Sequence, residues 1–134
     1  MNGKATDNLP KKERLCGKKA IETLLAKGRH GSVGPIRYIH MADNGEVFSR
    51  ILISVPKKLF KRAVKRNLLK RRIRESWRRL KHKLALSEHG MDLLFIYSTK
   101  EVMTYQEIYS HIEKIVEKLN ENQTKQKSNE TASE

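Results

Sequence analysis

Few side chains in this sequence have a type and spacing that would support catalysis by the protein itself. The five histidines are His30, His40, His82, His89 and His111. They form no H-x-x-x-H pair, the acids form no D-x-D pair, and there is no glycine-rich phosphate loop. A protein that hydrolyses a phosphodiester with its own groups needs paired carboxylates for a metal, or a matched acid and base. We therefore expect neither a catalytic residue nor a metal site in this protein.

The sequence does support binding of a polyanion. From residue 57 to 83 it carries 14 Lys or Arg residues and one acid, Glu75, a net charge of +13, whereas the whole chain of 134 residues has +14. Such a concentration of one sign is unfavourable through self-repulsion, and a bound polyanion offsets that cost. Nucleic acid is the predicted partner. A solvated charge run and a basic amphipathic helix at a membrane surface are the alternatives.

A long helix must position most of these charges, because residues 61–84 show helical periodicity. Five apolar residues fall on one face of it: Leu69, Ile73, Trp77, Leu80 and Leu84. We expect this stripe to lie in the core, with Trp77 packing there rather than stacking on a base. A cationic side centred about 110° from the stripe presents the following residues: Asn67, Lys70, Arg71, Arg74, Arg78 and Lys81. Arg66 lies near the edge of the apolar stripe.

Shorter elements come before this helix. The apolar spacing of residues 18–27 predicts an amphipathic helix, and the glycine-rich residues 28–35 predict a turn. Residues 36–41 and 47–55 predict two strands joined by a hairpin-type turn at Asp43-Asn44-Gly45.

Two further elements follow the long helix. The continuously apolar run 92–97 is typical of a central strand that is covered on both faces. Asp92 lies at the start of this strand. That position favours a structural role for Asp92 over an approach to a phosphate-bound Mg²⁺. A last helix begins at a capping box of Thr104 and Glu107 and then repeats apolar residues on one face as far as Leu119.

The predicted order is α-β-β-α-β-α, which favours an α/β two-layer sandwich with a small mixed sheet. Residues 14–120 form the single predicted domain. Residues 1–13 are expected to be a flexible basic tail, and residues 121–134 a disordered polar tail. The strand, helix and strand between residues 47 and 97 form a possible βαβ unit, for which a right-handed crossover is the default.

Several classes of protein are excluded. No apolar run approaches the roughly 18–20 residues that span a bilayer, and residues 1–13 lack the apolar stretch of a signal peptide. Cys16 is the only cysteine, so neither an intrachain disulfide nor a cysteine-rich metal cage can form. We expect a cytoplasmic protein that does not bind membranes.

The helix that carries the basic segment has a specific pattern. Residues 66–75, Arg-Asn-Leu-Leu-Lys-Arg-Arg-Ile-Arg-Glu, resemble the signature helix of the bacterial ribonuclease P protein component. Ser54-Val55-Pro56-Lys57-Lys58 before the helix, the pair Ala63-Val64, and the opening Arg14-Leu15 also match that family, as do Gly28 and the strand at Asp92. The resemblance covers about residues 14–119.

The resemblance implies a function and partners. It implies the protein subunit of an endoribonuclease that binds the large catalytic RNA and the 5′ leader of precursor tRNA, and assists removal of the leader to give the mature tRNA 5′ end. In this family the RNA carries the chemistry, with Mg²⁺ bound mainly by RNA and none bound by the protein alone. No obligate protein partner is implied, and the βαβ crossover is left-handed, which replaces the right-handed default.

The expected RNA-binding residues are those of the basic segment that match the family: Lys57, Lys58, Lys61, Arg62, Lys65, Arg66, Asn67, Lys70, Arg71, Arg74 and Arg78. The expected leader cleft comprises Ile21, Leu25, Tyr38 and His40. Three positions depart from the family: Leu68 replaces an arginine, and Ile21 and Leu25 replace aromatic residues that could stack on bases. The alternative function is a structural RNA-binding protein of the ribosomal or RNA-chaperone type.

Overall fold

The computed structural model describes residues 13–15, 17–42, 44–46, 48–84 and 90–132, with side chains in the last helix described as far as residue 121. The elements, in chain order, are α1 (Lys18–Lys27), β1 (Arg29–Val33), β2 (Ile36–Ala42), β3 (Arg50–Ser54), α2 (Ala63–Leu80), a 3-10 turn (Lys81–Lys83), β4 (Met91–Tyr97) and α3 (Tyr105–Ala132). Some positions covered by the sequence analysis lie outside the described residues: residues 1–12 and 133–134 of the two tails, Cys16, Asp43, Val47 and His89.

The four strands form one sheet in the order β1-β2-β4-β3. β4 is antiparallel to β2 and parallel to β3. It lies inside the sheet because its apolar run needs cover on both faces, as the sequence predicts. The hairpin predicted between residues 36–41 and 47–55 is wrong, since β4 is inserted between β2 and β3. The need to bury β4 therefore outweighed the local turn signal at residues 43–45.

Residues 28–35 contain a strand that the sequence analysis treats as a turn. β1 pairs with β2 through a two-residue hairpin at Gly34-Pro35, and Gly34 has φ 56°, a conformation that favours glycine at the first turn position. Gly31 lies opposite Tyr38, and a Cβ on Gly31 would come within 2.4 Å of the Tyr38 ring. The glycines thus make close pairing possible, and the order becomes α-β-β-β-α-β-α.

Helices cover both faces of the sheet, and the α/β sandwich is confirmed. α2 and α3 pack on one face, where the Trp77 and Phe95 rings lie 5.8 Å apart. The predicted apolar stripe is buried: Leu69, Ile73, Trp77 and Leu80 on α2, and Leu84 after the 3-10 turn. The short helix α1 covers part of the other face through Leu24, which packs with Ile39 and Leu94.

The connection from β3 through α2 to the parallel neighbour β4 is the predicted βαβ unit. Its left-handed crossover stays a prediction from the resemblance. α2 is shorter than the predicted 61–84, because it gives way to the 3-10 turn after Leu80.

The last helix is capped at its start as predicted, since the Glu107 amide donates a 3.2 Å hydrogen bond to Thr104 Oγ1. α3 continues to Ala132, whereas the sequence analysis expected a disordered tail from residue 121. Extending a formed helix requires only one residue to be ordered per hydrogen bond, and residues 121–132 include Glu, Gln and Lys, which are good helix formers.

Candidate nucleic-acid interface

The buried stripe of α2 fixes the orientation of its cationic side. Because Leu69, Ile73 and Trp77 face the sheet, the residues about 110° away project to the surface. Asn67 and Arg71 are exposed, and three further predicted contacts are half-buried: Lys70, Arg74 and Arg78. Arginine forks and lysine ammonium groups at this spacing can bind several phosphates along one RNA strand.

The segment before α2 adds further cations at the N-terminal end of the helix. Phe60 is buried, with its ring 5.9 Å from the Tyr97 ring, and the carbonyl oxygen of Pro56 accepts a 3.1 Å hydrogen bond from the Leu59 amide. This turn and anchor hold the predicted lysines and arginine at the surface. Four of them are exposed in this segment: Lys57, Lys58, Lys61 and Arg62. Lys65 in the first turn of α2 is exposed as well.

Arg66 has a structural task. Its Nη1 donates to the carbonyl oxygens of Phe60 at 2.7 Å and Lys61 at 2.8 Å, and the side chain is half-buried. These bonds tie the first turns of α2 to the preceding loop. Position alone could not assign this residue, since it lies between the apolar stripe and the cationic side.

Glu75, the one acid of the basic segment, binds two of its arginines. Arg78 Nη2 lies 2.6 Å from Glu75 Oε1, and Arg79 Nε lies 3.1 Å from the same oxygen. The hydrogen bond from Arg78 is the main cause that lowers the pKa of Glu75. Glu75 therefore stays ionised and offsets part of the charge of Arg78 and Arg79, which makes Lys70, Arg71 and Arg74 the stronger anion-binding part of the helix.

The four expected leader-cleft residues do not come together. Ile21 and Leu25 belong to α1, and Leu25 is 49% exposed. Tyr38 and His40 point to the opposite face of the sheet, against the α2 and α3 layer, and are 3% and 8% exposed. Because side chains alternate along β2, Ile39 faces α1, whereas Tyr38 and His40 face the other side. This placement corrects the expected grouping.

Burial is the main cause of the pKa shifts of Tyr38 and His40. It raises the pKa of Tyr38. Burial, and then the charge of Arg29 on the neighbouring strand, lowers the pKa of His40.

A groove of about 390 Å³ lies over β1 and β2, at the edge of the sheet that β1 forms. Its lining includes His30, Gly31, Ser32, Arg37, Tyr38, Ile39 and Ile96. The side chains of Arg37 and His30 alternate with those that face α2 and α3, so they lie on the same face as α1. The sequence analysis missed both residues, because the strand that carries His30 was treated as a turn and the register of Arg37 was unknown.

Asp92 is structural, as the sequence analysis favoured. Asp92 is buried, with 1% of its surface exposed. Its carboxylate accepts hydrogen bonds from Arg50 Nε at 2.8 Å, Arg50 Nη2 at 2.9 Å and Asn44 Nδ2 at 3.0 Å. Both carboxylate oxygens are therefore occupied by the loop and strand that border β4.

The described part of the chain has neither a cluster of metal ligands nor a membrane-spanning helix. No group of three or more His, Cys, Asp or Glu side chains within it could hold a metal ion. No helix in the same residues is long and apolar enough to cross a membrane.

The family of the chain follows from a comparison with protein-family models. A model described as Ribonuclease P matches residues 9–120. The chain belongs to the Ribonuclease P family. The match includes all of the basic segment, the sheet and α1.

Curated members of the Ribonuclease P family are similar in sequence. A ribonuclease P protein component from Porphyromonas gingivalis is 41% identical over 86 residues, which cover 63% of this chain and 63% of that relative. The chain thus aligns with less than two thirds of the length of that protein. A ribonuclease P protein component from Chlorobaculum tepidum is 31% identical over 113 residues, which cover 75% of this chain and 73% of the relative.

Solved structures of the family share the fold. An RNase P protein mutant from Staphylococcus aureus with defective mRNA degradation activity superposes with a TM-score of 0.68 at 27% identity, covering 80% of this chain and 87% of that one. The RNase P protein from Thermotoga maritima gives a TM-score of 0.67 at 22% identity, covering 79% and 96%. The second likeness concerns the fold alone.

Proposed function

We propose that this chain is the protein subunit of ribonuclease P, which binds the catalytic RNA through the cationic side of α2 and assists endonucleolytic removal of the 5′ leader from precursor tRNA. The observation that carries this proposal is the pairing of family membership with a net charge of +13 on residues 57–83. The buried stripe of α2 turns those charges outward, which is the geometry that phosphate binding requires.

The chemistry in this proposal belongs to the RNA subunit. Mg²⁺ is bound mainly by RNA, as the resemblance implies, and the protein contributes charge and shape. Screening by the cationic side lowers the repulsion between two RNA molecules that must meet. We also propose a cytoplasmic location and no obligate protein partner, both on the resemblance.

The precursor-tRNA leader is proposed to bind on the α1 face of the sheet. The groove there offers Arg37 for a phosphate, and α1 on the same face of the sheet offers Ile21 and Leu25 for apolar contact. Aliphatic side chains do not stack on bases as aromatic ones do, so we expect leader binding with little preference for sequence. Tyr38 and His40 are not proposed as leader contacts, because both are buried; Tyr38, although it borders the groove, is only 3% exposed.

A binding comparison tests this function. The affinity of the catalytic RNA with bound protein is measured for precursor tRNA and for mature tRNA that lacks the leader. We expect the protein to increase affinity for the precursor only, and Arg37→Ala to remove part of that increase. Lys114→Ala, an exposed cation on α3, is the matched control and should retain it. An equal effect on precursor and mature tRNA would instead favour a structural RNA-binding protein of the ribosomal or chaperone type.

A further inference from the structure

A small pocket lies between the C-terminal half of α2 and the first turns of α3. It has a volume of about 220 Å³ and is lined by Arg79 from α2 and by Tyr105, Gln106 and Tyr109 from α3. Pockets for drug-sized ligands measure about 300–1,000 Å³, so this one suits a single flat ring system rather than a larger molecule. It shares no residue with the groove over β1 and β2.

Contacts outside the pocket hold its two walls in place. Arg72 of α2 donates a hydrogen bond to the carbonyl oxygen of Met103, just before α3. The start of α3 is capped in turn by the bond from the Glu107 amide to Thr104 Oγ1. The pocket is therefore formed before a ligand arrives, which lowers the entropy lost on binding.

Two tyrosines form the wall of the pocket on the α3 side. The ring centroids of Tyr105 and Tyr109 are 5.9 Å apart and their planes are tilted by 45°, so the rings support each other. Both residues are half-buried, whereas the other two tyrosines of the chain, Tyr38 and Tyr97, are buried. Proteins bind unpaired RNA bases by stacking them on aromatic rings that are held in this way.

The Tyr105 hydroxyl group favours a ligand with hydrogen-bonding groups over a purely apolar one. Its oxygen is buried and has no hydrogen-bond partner within the described part of the chain. Since nearly all buried polar groups in proteins are hydrogen-bonded, an unpaired hydroxyl on a residue that lines a pocket calls for a polar partner. A nucleobase combines a flat face for stacking with donors and acceptors along its edge.

Arg79 connects the pocket with the cationic side of α2. Glu75 Oε1 lies 2.6 Å from Arg78 Nη2 and 3.1 Å from Arg79 Nε, so the two arginines lie on either side of one oxygen atom. The Arg79 side chain is 59% exposed, and its planar guanidinium group can stack on a base or donate to its edge. An RNA strand with a phosphate at Arg78 can therefore place a neighbouring base at the pocket.

We propose that this pocket binds one unpaired base of the catalytic RNA, which stacks on the tyrosine wall beside the Arg79 guanidinium group. This inference rests on the proposed function, since it assumes that the cationic side of α2 binds that RNA. It extends the RNA interface to α3, which carries none of the RNA-binding residues expected from the sequence.

Replacement of one ring tests the stacking. The dissociation constant for in vitro transcribed ribonuclease P RNA is measured for the full chain, for Tyr109→Leu and for Tyr109→Phe. Leucine keeps apolar packing on the core but removes the aromatic face, so we expect binding about tenfold weaker, as for loss of one stacked base. Phenylalanine keeps the ring and should bind like the unchanged protein. Tyr109→Leu should also keep the salt dependence of binding, because a neutral ring releases no counterion.

A matched pair of cations tests the other wall. Arg79→Ala should weaken binding to the same RNA, whereas Lys114→Ala, which removes an exposed cation of α3 outside the pocket, should not. Ultraviolet cross-linking of the complex, followed by mass spectrometry, should place a nucleotide adduct on Tyr105 or Tyr109. Circular dichroism and thermal unfolding verify that each variant is folded.

Arg71→Ala, measured beside these variants, separates this inference from the proposed function. If Arg71→Ala weakens binding to the catalytic RNA and Tyr109→Leu does not, the base pocket is overturned and the proposed function stands. If neither change weakens binding, the proposed function fails as well. Equal losses for Tyr109→Leu and Tyr109→Phe would overturn the stacking, because the phenylalanine variant retains the ring. If Tyr109→Leu weakens binding of precursor tRNA alone, the base belongs to the substrate and this assignment is wrong.

Discussion

Arg72 donates a hydrogen bond to the carbonyl oxygen of Met103, while its neighbour Arg71 is exposed on the cationic side of α2. Arg66 likewise donates to two carbonyl oxygens of the preceding loop. Arginines of one helix therefore serve two purposes, and the angular position about the helix decides which. Those near the apolar stripe join elements together, and those on the far side are available to phosphate.

This division predicts opposite effects for two substitutions. Arg71→Ala should weaken binding to the catalytic RNA and leave the free energy of unfolding almost unchanged, because the side chain is exposed. Trp77→Ala should cost about 3–5 kcal/mol of stability, because a large buried ring is removed beside Phe95. Urea unfolding and filter binding measure the two quantities. A Trp77→Ala protein that keeps its stability and loses only RNA affinity would contradict the core assignment.

His40 should make stability depend on pH. Because burial and Arg29 lower its pKa in the folded state, the unfolded chain binds a proton that the folded chain does not bind. Stability from this residue is complete above the ordinary histidine range and falls as the pH drops through it, until the folded protein is protonated as well.

The measurement is urea unfolding at about pH 7.5 and about pH 5.5, on either side of the ordinary histidine pKa. The unchanged protein should lose more stability on acidification than His40→Gln. Equal losses in the two proteins would show that His40 is not the group responsible.

At the scale of elements, the position of β4 inside the sheet determines the order of the other strands. Its buried residues could be predicted from a continuous apolar run, and the stripe of α2 from its periodicity. The pairing of β2 with β4 could not, because strand partners are set by contacts between distant residues, whereas the turn signal at residues 43–45 is local. For the same reason the sequence could indicate the cationic side of α2, but not that His30 and Arg37 lie on the α1 face of the sheet.

The loop before β3 packs on the start of β4 so closely that glycine is required there. A Cβ on Gly90 would lie 2.2 Å from the carbonyl carbon of Phe48 and 2.5 Å from the Ser49 amide nitrogen. The Gly90 amide also donates a 2.7 Å hydrogen bond to the carbonyl oxygen of Glu46. Since these neighbours are backbone atoms, they can yield only if the loop moves.

Gly90→Ala should therefore destabilise the protein by about 1–3 kcal/mol, the usual cost of overpacking. Urea unfolding provides the value. Glu46→Ala is the control, because it removes an exposed side chain of the same loop and keeps the carbonyl group; it should stay within about 0.5 kcal/mol of the unchanged protein. A Gly90→Ala protein as stable as its control would refute the close packing.

At the scale of the whole molecule, nearly all of the net charge lies on one segment, so the protein is a near-neutral domain with one cationic surface. Binding to RNA should accordingly depend strongly on salt. If that surface engages about six phosphates, the logarithm of affinity should fall with the logarithm of salt concentration at a slope of about −4 to −5.

Two variants separate charge from directional contact. Lys70→Ala should flatten the salt slope by roughly one unit and weaken binding to different structured RNAs alike. Asn67→Ala should keep the slope and lower affinity for the catalytic RNA more than for a random duplex, because an amide releases no counterion but makes directional hydrogen bonds. Salt titrations of both variants decide the matter, and equal losses of Asn67→Ala on both RNAs would reduce this residue to a structural role.

Cleavage of precursor tRNA tests the central claim most directly. Protein alone, catalytic RNA alone and the two together are incubated with precursor tRNA over a series of Mg²⁺ concentrations. We predict that protein and RNA together release the 5′ leader at Mg²⁺ concentrations where the RNA alone is inactive, because the cationic surface replaces part of the screening that Mg²⁺ supplies. The protein alone should cleave nothing. Leader release by protein without RNA, or a Mg²⁺ requirement of the RNA that the protein leaves unchanged, would contradict the account.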